Sequence, residues 1–157
     1  MKLSIKTGTS IKKAEATNLT TNQVYSFLKK TFQEQGLDRV YSEGKNELKF
    51  EQKLFHFGRI YRRGPFTNFN RGELKISEND GYINIDLETE YLRMLIHIGS
   101  LVFGFALLAF ISSGFRLNSL PSILSLGFLL LIIRWLSAKY GLKVYLDRKA
   151  QELKTWR

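Results

Sequence analysis

The sequence predicts an α+β membrane protein. A small N-terminal domain of one helix packed on an antiparallel sheet is followed by a two-helix transmembrane hairpin and a basic amphipathic C-terminal helix. Three observations predict it. No Lys, Arg, Asp or Glu occurs from Met94 to Phe115, and none from Leu117 to Ile133. Ahead of these runs, residues 1–92 alternate apolar and polar residues in short stretches broken by turn signals. Behind them, residues 139–157 set apolar residues at helical spacing among Lys and Arg.

The domain opens with Leu3 and Ile5 alternating with polar residues, the pattern of a first strand. "TTNQVYSFLKKTFQEQG" reads as a helix. Thr20 and Gln23 have capping-box spacing, Val24, Phe27, Leu28, Thr31 and Phe32 form one apolar stripe, and Gly36 is a stop. "RVYSEGKNELKFEQ" gives two short strands around Gly44-Lys45-Asn46. "GELKISENDGYINIDLE" is the clearest hairpin, with Leu74 and Ile76 alternating before Asn79-Asp80-Gly81 and Ile83, Ile85 and Leu87 after it. The expected core has Phe27, Leu28 and Phe32 covering Ile76, Ile83 and Ile85. Only "TEYLR" then separates the domain from the first apolar run, so the domain is expected to sit against the bilayer.

The two apolar runs place spans at about 94–115 and about 119–138, joined by "SGFRLNSLPS" with Pro121 in the first turn of the second. About twenty apolar helical residues cover roughly 30 Å, the thickness of the hydrocarbon layer. Arg93, Arg134, Trp135, Lys139 and Tyr140 flank the runs and are candidate interface anchors. Ser100 and Gly104 have the small-xxx-small spacing of close helix packing, against the other span or another subunit. Leu142, Tyr145, Leu146, Ala150, Leu153 and Trp156 share one face of the last helix. That helix either lies on anionic lipid or extends the second span and packs on the domain.

Charge sets the expected orientation. The chain has 157 residues and a formal net charge of +10. Residues 1–93 hold 16 Lys+Arg and 12 Asp+Glu, the connection holds Arg116, and residues 134–157 hold 7 Lys+Arg and 2 Asp+Glu. Cations collect on cytoplasmic flanks, so both termini are expected to face the cytoplasm of a bacterial-type inner membrane. The sequon at Asn18 is then idle. The start of the chain has no signal-peptide core.

Catalytic motifs are absent: there is no HExxH, GxSxG or Walker A pattern, no cysteine, and the two histidines, His56 and His97, lie far apart. No catalytic residue, metal or cofactor is implied. The one stretch suggestive of a site is "RIYRRGPFTNFNRG", where Arg59, Arg62, Arg63 and Arg71 are interleaved with Tyr61, Phe66 and Phe69. Guanidinium forks suit phosphate, so this stretch is a candidate site for lipid headgroups or another anionic ligand. It also suits a protein partner or a plain solvated loop. Nucleic acid is the least favoured partner, because membrane topology accounts for the positive charge. The expected function is a non-enzymatic membrane accessory protein that docks a partner at the anionic inner leaflet, with the bilayer and a protein partner or further copies as its surroundings. The alternative is a ligand-gated effector or channel subunit that senses an anionic ligand.

Overall fold

The computed structural model describes residues 3–13, 19–35, 37–52, 65–66, 69–113 and 120–155. The elements are β1 (Ser4–Lys12), α1 (Thr21–Glu34), β2 (Arg39–Ser42), β3 (Glu47–Glu51), β4 (Arg71–Asn79), β5 (Tyr82–Glu90), α2 (Leu92–Ser113) and α3 (Leu120–Thr155). The strands form one sheet in the order β1-β5-β4-β3-β2, antiparallel throughout.

Turn chemistry sets the registers. At the β4–β5 connection Asp80 and Gly81 have φ of 50° and 77°. Positive φ at both central residues is the type I′ geometry, whose twist matches the flanking strands. It places Ile76 opposite Ile85 and Leu74 opposite Leu87. The same period puts Ile11 opposite Ile83 and Leu48 opposite Leu74. All these side chains therefore share one face, and all are buried.

The other face is polar and laced with ion pairs, most of them between strands. Lys6 meets Glu88 at 3.2 Å, Arg71 meets Glu51 at 3.4 Å, and Lys75 meets Glu73 at 3.0 Å and Glu47 at 3.2 Å. The hydrogen bonds from Lys75 to Glu73 and Glu47, and then their charges, raise its pKa above the usual lysine value. Such exposed pairs add little singly, but they commit this face to water.

Two helices cover the apolar face. Helix α1 lies over β4 and β2, and α3 runs along β1. Thr20 caps α1: its hydroxyl accepts from the Gln23 amide at 3.3 Å, while the Gln23 side chain accepts from the Thr20 amide at 2.9 Å. Val24, Leu28, Thr31 and Phe32 of α1 are buried, and Phe27 is half-buried. From α3, Ala138, Leu142, Leu146, Ala150 and Leu153 enter the same core, spaced as one helical stripe. Each fully buried leucine contributes about 1.5–3 kcal/mol. Phe66 packs on both helices: its ring centroid lies 5.0 Å from Phe32, 5.1 Å from Phe50 and 5.2 Å from Tyr145. Across the strand pair, the Phe50 ring lies on Gly72, where any Cβ would collide with it.

The two-helix transmembrane hairpin and the separate C-terminal helix expected from sequence are corrected here. Among the described residues there are three helices, and of these only α3 is long and apolar enough to cross a membrane. Among the described residues the apolar stretch of α2 is shorter, Leu92–Leu108. Its first turn is also committed to the domain, since Arg93 and Met94 are buried. Helix α3 continues past the end of its apolar run because nothing breaks it. No proline follows Pro121, and the i,i+4 pairs Lys143–Asp147 and Arg148–Glu152 support the later turns. Of the two dispositions expected for residues 139–157, the described part, through Thr155, has the one that extends the apolar helix and packs on the domain, and Trp156 lies outside the described residues.

Phe32→Ala should cost about 3–5 kcal/mol, because the cavity would open between Phe50 and Phe66. Urea unfolding of the full chain measures it, and an unchanged midpoint would mean that the aromatic cluster does not hold the core. A chain ended after Tyr91 should bind a hydrophobic dye and melt without cooperativity, since α3 no longer covers the face of β1. A sharp two-state melt of that fragment would show that α1 alone suffices.

Candidate functional site at the root of the apolar helices

Two places compete for function: the point where the domain meets the apolar helices, and the arginine-rich stretch. The first is built by the chain's own continuity. Along α3, Leu124, Phe128, Leu129, Ile132, Ile133 and Leu136 are exposed, and burial in the domain core then starts at Ala138. The helix therefore changes environment within one turn. Arg134, Trp135, Lys139 and Tyr140 fall in the two turns around that change. Arg134 and Lys139 are exposed, Tyr140 is 73% exposed, and Trp135 is half-buried with the Lys139 ammonium 5.4 Å from its ring centroid. Aromatic and cationic side chains in a band at the end of an apolar helix suit a membrane–water boundary.

Arg93 is placed differently from these four. It is 4% exposed, and its Nη1 donates to Gln52 Oε1 at 3.0 Å. The Gln52 amide donates to the Asn70 carbonyl at 2.7 Å, and Asn70 Nδ2 donates to Glu90 Oε2 at 3.4 Å. Arg93 thus ties the first turn of α2 to the ends of β3, β4 and β5. Arg93 Nε and Asn70 Oδ1 are buried without a hydrogen-bond partner among the described residues. Gln52 and Asn70 give no signal in sequence, because both are ordinary polar residues at strand ends.

The contact between α2 and α3 runs through a residue the sequence did not single out. A Cβ on Gly127 would stand 2.7 Å from Val102 Cγ2, so the glycine lets the helices approach. Gly104 has nothing within 4 Å of its Cβ position, and Ser100 is exposed with its hydroxyl donating to the Ile96 carbonyl at 2.8 Å. Within this chain, Ser100 and Gly104 therefore do not meet α3.

A polar clamp fixes α3 along β1. Lys143 Nζ donates to the Gly8 carbonyl at 2.8 Å and to Asp147 Oδ1 at 2.8 Å. Burial works against ionisation of Asp147, but hydrogen bonds from Lys143 and Thr9, with the Lys143 charge, outweigh it and hold the carboxyl below its usual value. Burial does prevail at Tyr145, whose phenol is pushed well above its ordinary value, with the charges of Glu152 and Glu34 adding to the shift.

Of the arginine-rich stretch, Arg59, Arg62 and Arg63 lie outside the described residues. Arg71 stands on the polar face of the sheet, at a shallow depression of about 170 Å³ shared with Lys49, Glu51, Glu73, Glu88 and Glu90. Carboxylates outnumber cations there, so the surroundings of Arg71 do not by themselves attract an anion. Phe66 and Phe69 are 2% and 0% exposed, so these two aromatics are core residues. No group of three or more metal-ligating side chains forms among the described residues. No family model, curated protein or solved structure matches this chain.

Gly127→Leu should destabilise the chain in detergent by about 1–3 kcal/mol, the usual cost of overpacking. Gly104→Leu, facing open space, should leave the melting temperature unchanged. Equal effects at the two positions would contradict the packing of α2 on α3.

Proposed function

We propose that this chain is a non-enzymatic, membrane-associated accessory protein that holds a docking domain close against a bilayer. The observation that carries the reading is the continuity of α3, which is apolar and exposed along its first half and part of the domain core along its second. A helix of that kind anchors without a flexible tether, so the domain takes a fixed height and orientation at the surface. The buried residues from Ile5 to Phe50 and from Ala138 to Leu153 contribute to one core, which favours a single side of any membrane for both. The excess of Lys and Arg after Ile133 favours the cytoplasmic side of an inner membrane for both termini.

A protein partner, or further copies of the chain, is the proposed target of docking, with anionic headgroups as the surrounding surface.

Alkaline carbonate extraction tests the anchor. The chain should stay in the membrane pellet, and Leu129→Lys with Ile132→Lys should release it, since each lysine near the centre of an apolar helix costs about 2.5–3.5 kcal/mol of insertion. Release of the unmodified chain by carbonate would overturn membrane anchoring. Purification in mild detergent tests docking: a lone monomer with no accompanying protein would overturn that part of the reading.

A further inference from the structure

The two helices carry a depth scale. Val102 of α2 meets Gly127 of α3, and the two helices join the domain core at Met94 and at Ala138, so they run in opposite directions. Leu92 lies ten residues before Val102, and Ser137 lies ten residues after Gly127. At 1.5 Å per residue both are displaced by about 15 Å from the crossing, in the same direction. Leu92 is therefore level with Ser137, and the next residue of α3, Ala138, is where the helix enters the domain core.

At this depth the end of the sheet carries exposed apolar residues beside the cluster of Gln52, Asn70, Glu90 and Arg93. β5 finishes here and β1 begins here, with the Tyr91 amide donating to the Leu3 carbonyl at 3.3 Å. Leu3 is 38% exposed and Leu92 is 46% exposed. Tyr91 is half-buried against the core. Trp135 and Tyr140 stand within about one turn of the same level on α3. The opposite end of the sheet carries Asn79, Asp80, Gly81 and the 39% exposed Tyr82. Nine residues of β5 separate the two ends by about 26 Å.

We propose that Leu3, Tyr91 and Leu92, together with Trp135 and Tyr140, form an apolar and aromatic seat that enters the headgroup layer of a phospholipid bilayer. The domain then stands upright on the membrane, with its strands pointing away from it. The occupant is a lipid surface because the seat continues the exposed apolar band of α3 without a break in depth. The exposed cations Arg134 and Lys139 lie at the same boundary and suit headgroup phosphates. This inference rests on the anchoring of α3 proposed above and adds the surface of the domain that meets the lipid.

Tryptophan quenching by lipids brominated near the headgroup tests it, with the full chain in vesicles of mixed neutral and anionic phospholipid. Trp156→Phe leaves native Trp135 as the reporter of α3. With Trp135→Phe and Trp156→Phe, three further reporters are made: Leu3→Trp, Leu92→Trp and Tyr82→Trp. The two seat reporters should be quenched within about twofold of Trp135, and Tyr82→Trp should not be quenched, because interfacial aromatic rings sit at headgroup level. Using both Leu3→Trp and Leu92→Trp guards against one substitution disturbing the fold. Quenching of Trp135 without quenching of either seat reporter would overturn the seat while leaving the anchor intact. Equal quenching of Tyr82→Trp would overturn the upright stance. An unquenched Trp135 would overturn the anchor, and the seat with it.

Discussion

One helix has to satisfy two environments. The first half of α3 offers exposed Leu, Ile and Phe side chains, and its second half supplies Leu142, Leu146 and Leu153 to a sheet core. A helix can do this because its backbone hydrogen bonds are internal and do not depend on what surrounds it. The rest of the molecule follows from that continuity. The sheet needs a second covering helix beside α1, and α3 provides it. The clamp between Lys143, Asp147 and β1 fixes how far along the strand the helix lies. The height of the domain relative to the apolar band is then set by rigid structure.

The sheet divides its labour by the period of two. Its inner face is apolar from β1 to β3 and closes on α1, α3 and the Phe66 ring. Its outer face carries alternating Lys and Glu across strands, which pair with each other and leave little net field. The positive charge of the chain is therefore not concentrated on the sheet. In the described residues of α3 it falls at Arg134, Lys139, Lys143, Arg148, Lys149 and Lys154.

Arg93 illustrates how a residue type can mislead about role. An arginine just before an apolar helix is commonly an anchor at the lipid boundary. Here the helix begins inside the domain, so the side chain folds inward onto Gln52. Burying a guanidinium in this way is costly unless its hydrogen bonds are made, and its Nε has no partner among the described residues. The cluster of Gln52, Asn70, Glu90 and Arg93 lies where three strands and α2 meet.

Much of this fold was legible in local pattern. The capping box at Thr20, the type I′ turn at Asp80-Gly81 and the alternation of Ile83, Ile85 and Leu87 need only neighbouring residues, and each produced the expected element. The stripe from Leu142 to Leu153 was also legible, since helical period alone groups those residues. What the stripe would meet was not, because a lipid surface and a sheet face both accept leucine, and only the folded chain distinguishes them. The same limit hid the roles of Phe66, Gly72 and Gly127. Their partners Tyr145, Phe50 and Val102 lie on other elements, and no spacing along the chain records a contact made across a gap. Local chemistry therefore determined the elements and their apolar faces, while the docking of α3 on β1, the inward turn of Arg93 and the identity of the helix-contact glycine were decided by tertiary packing, where distance in space replaces distance in sequence.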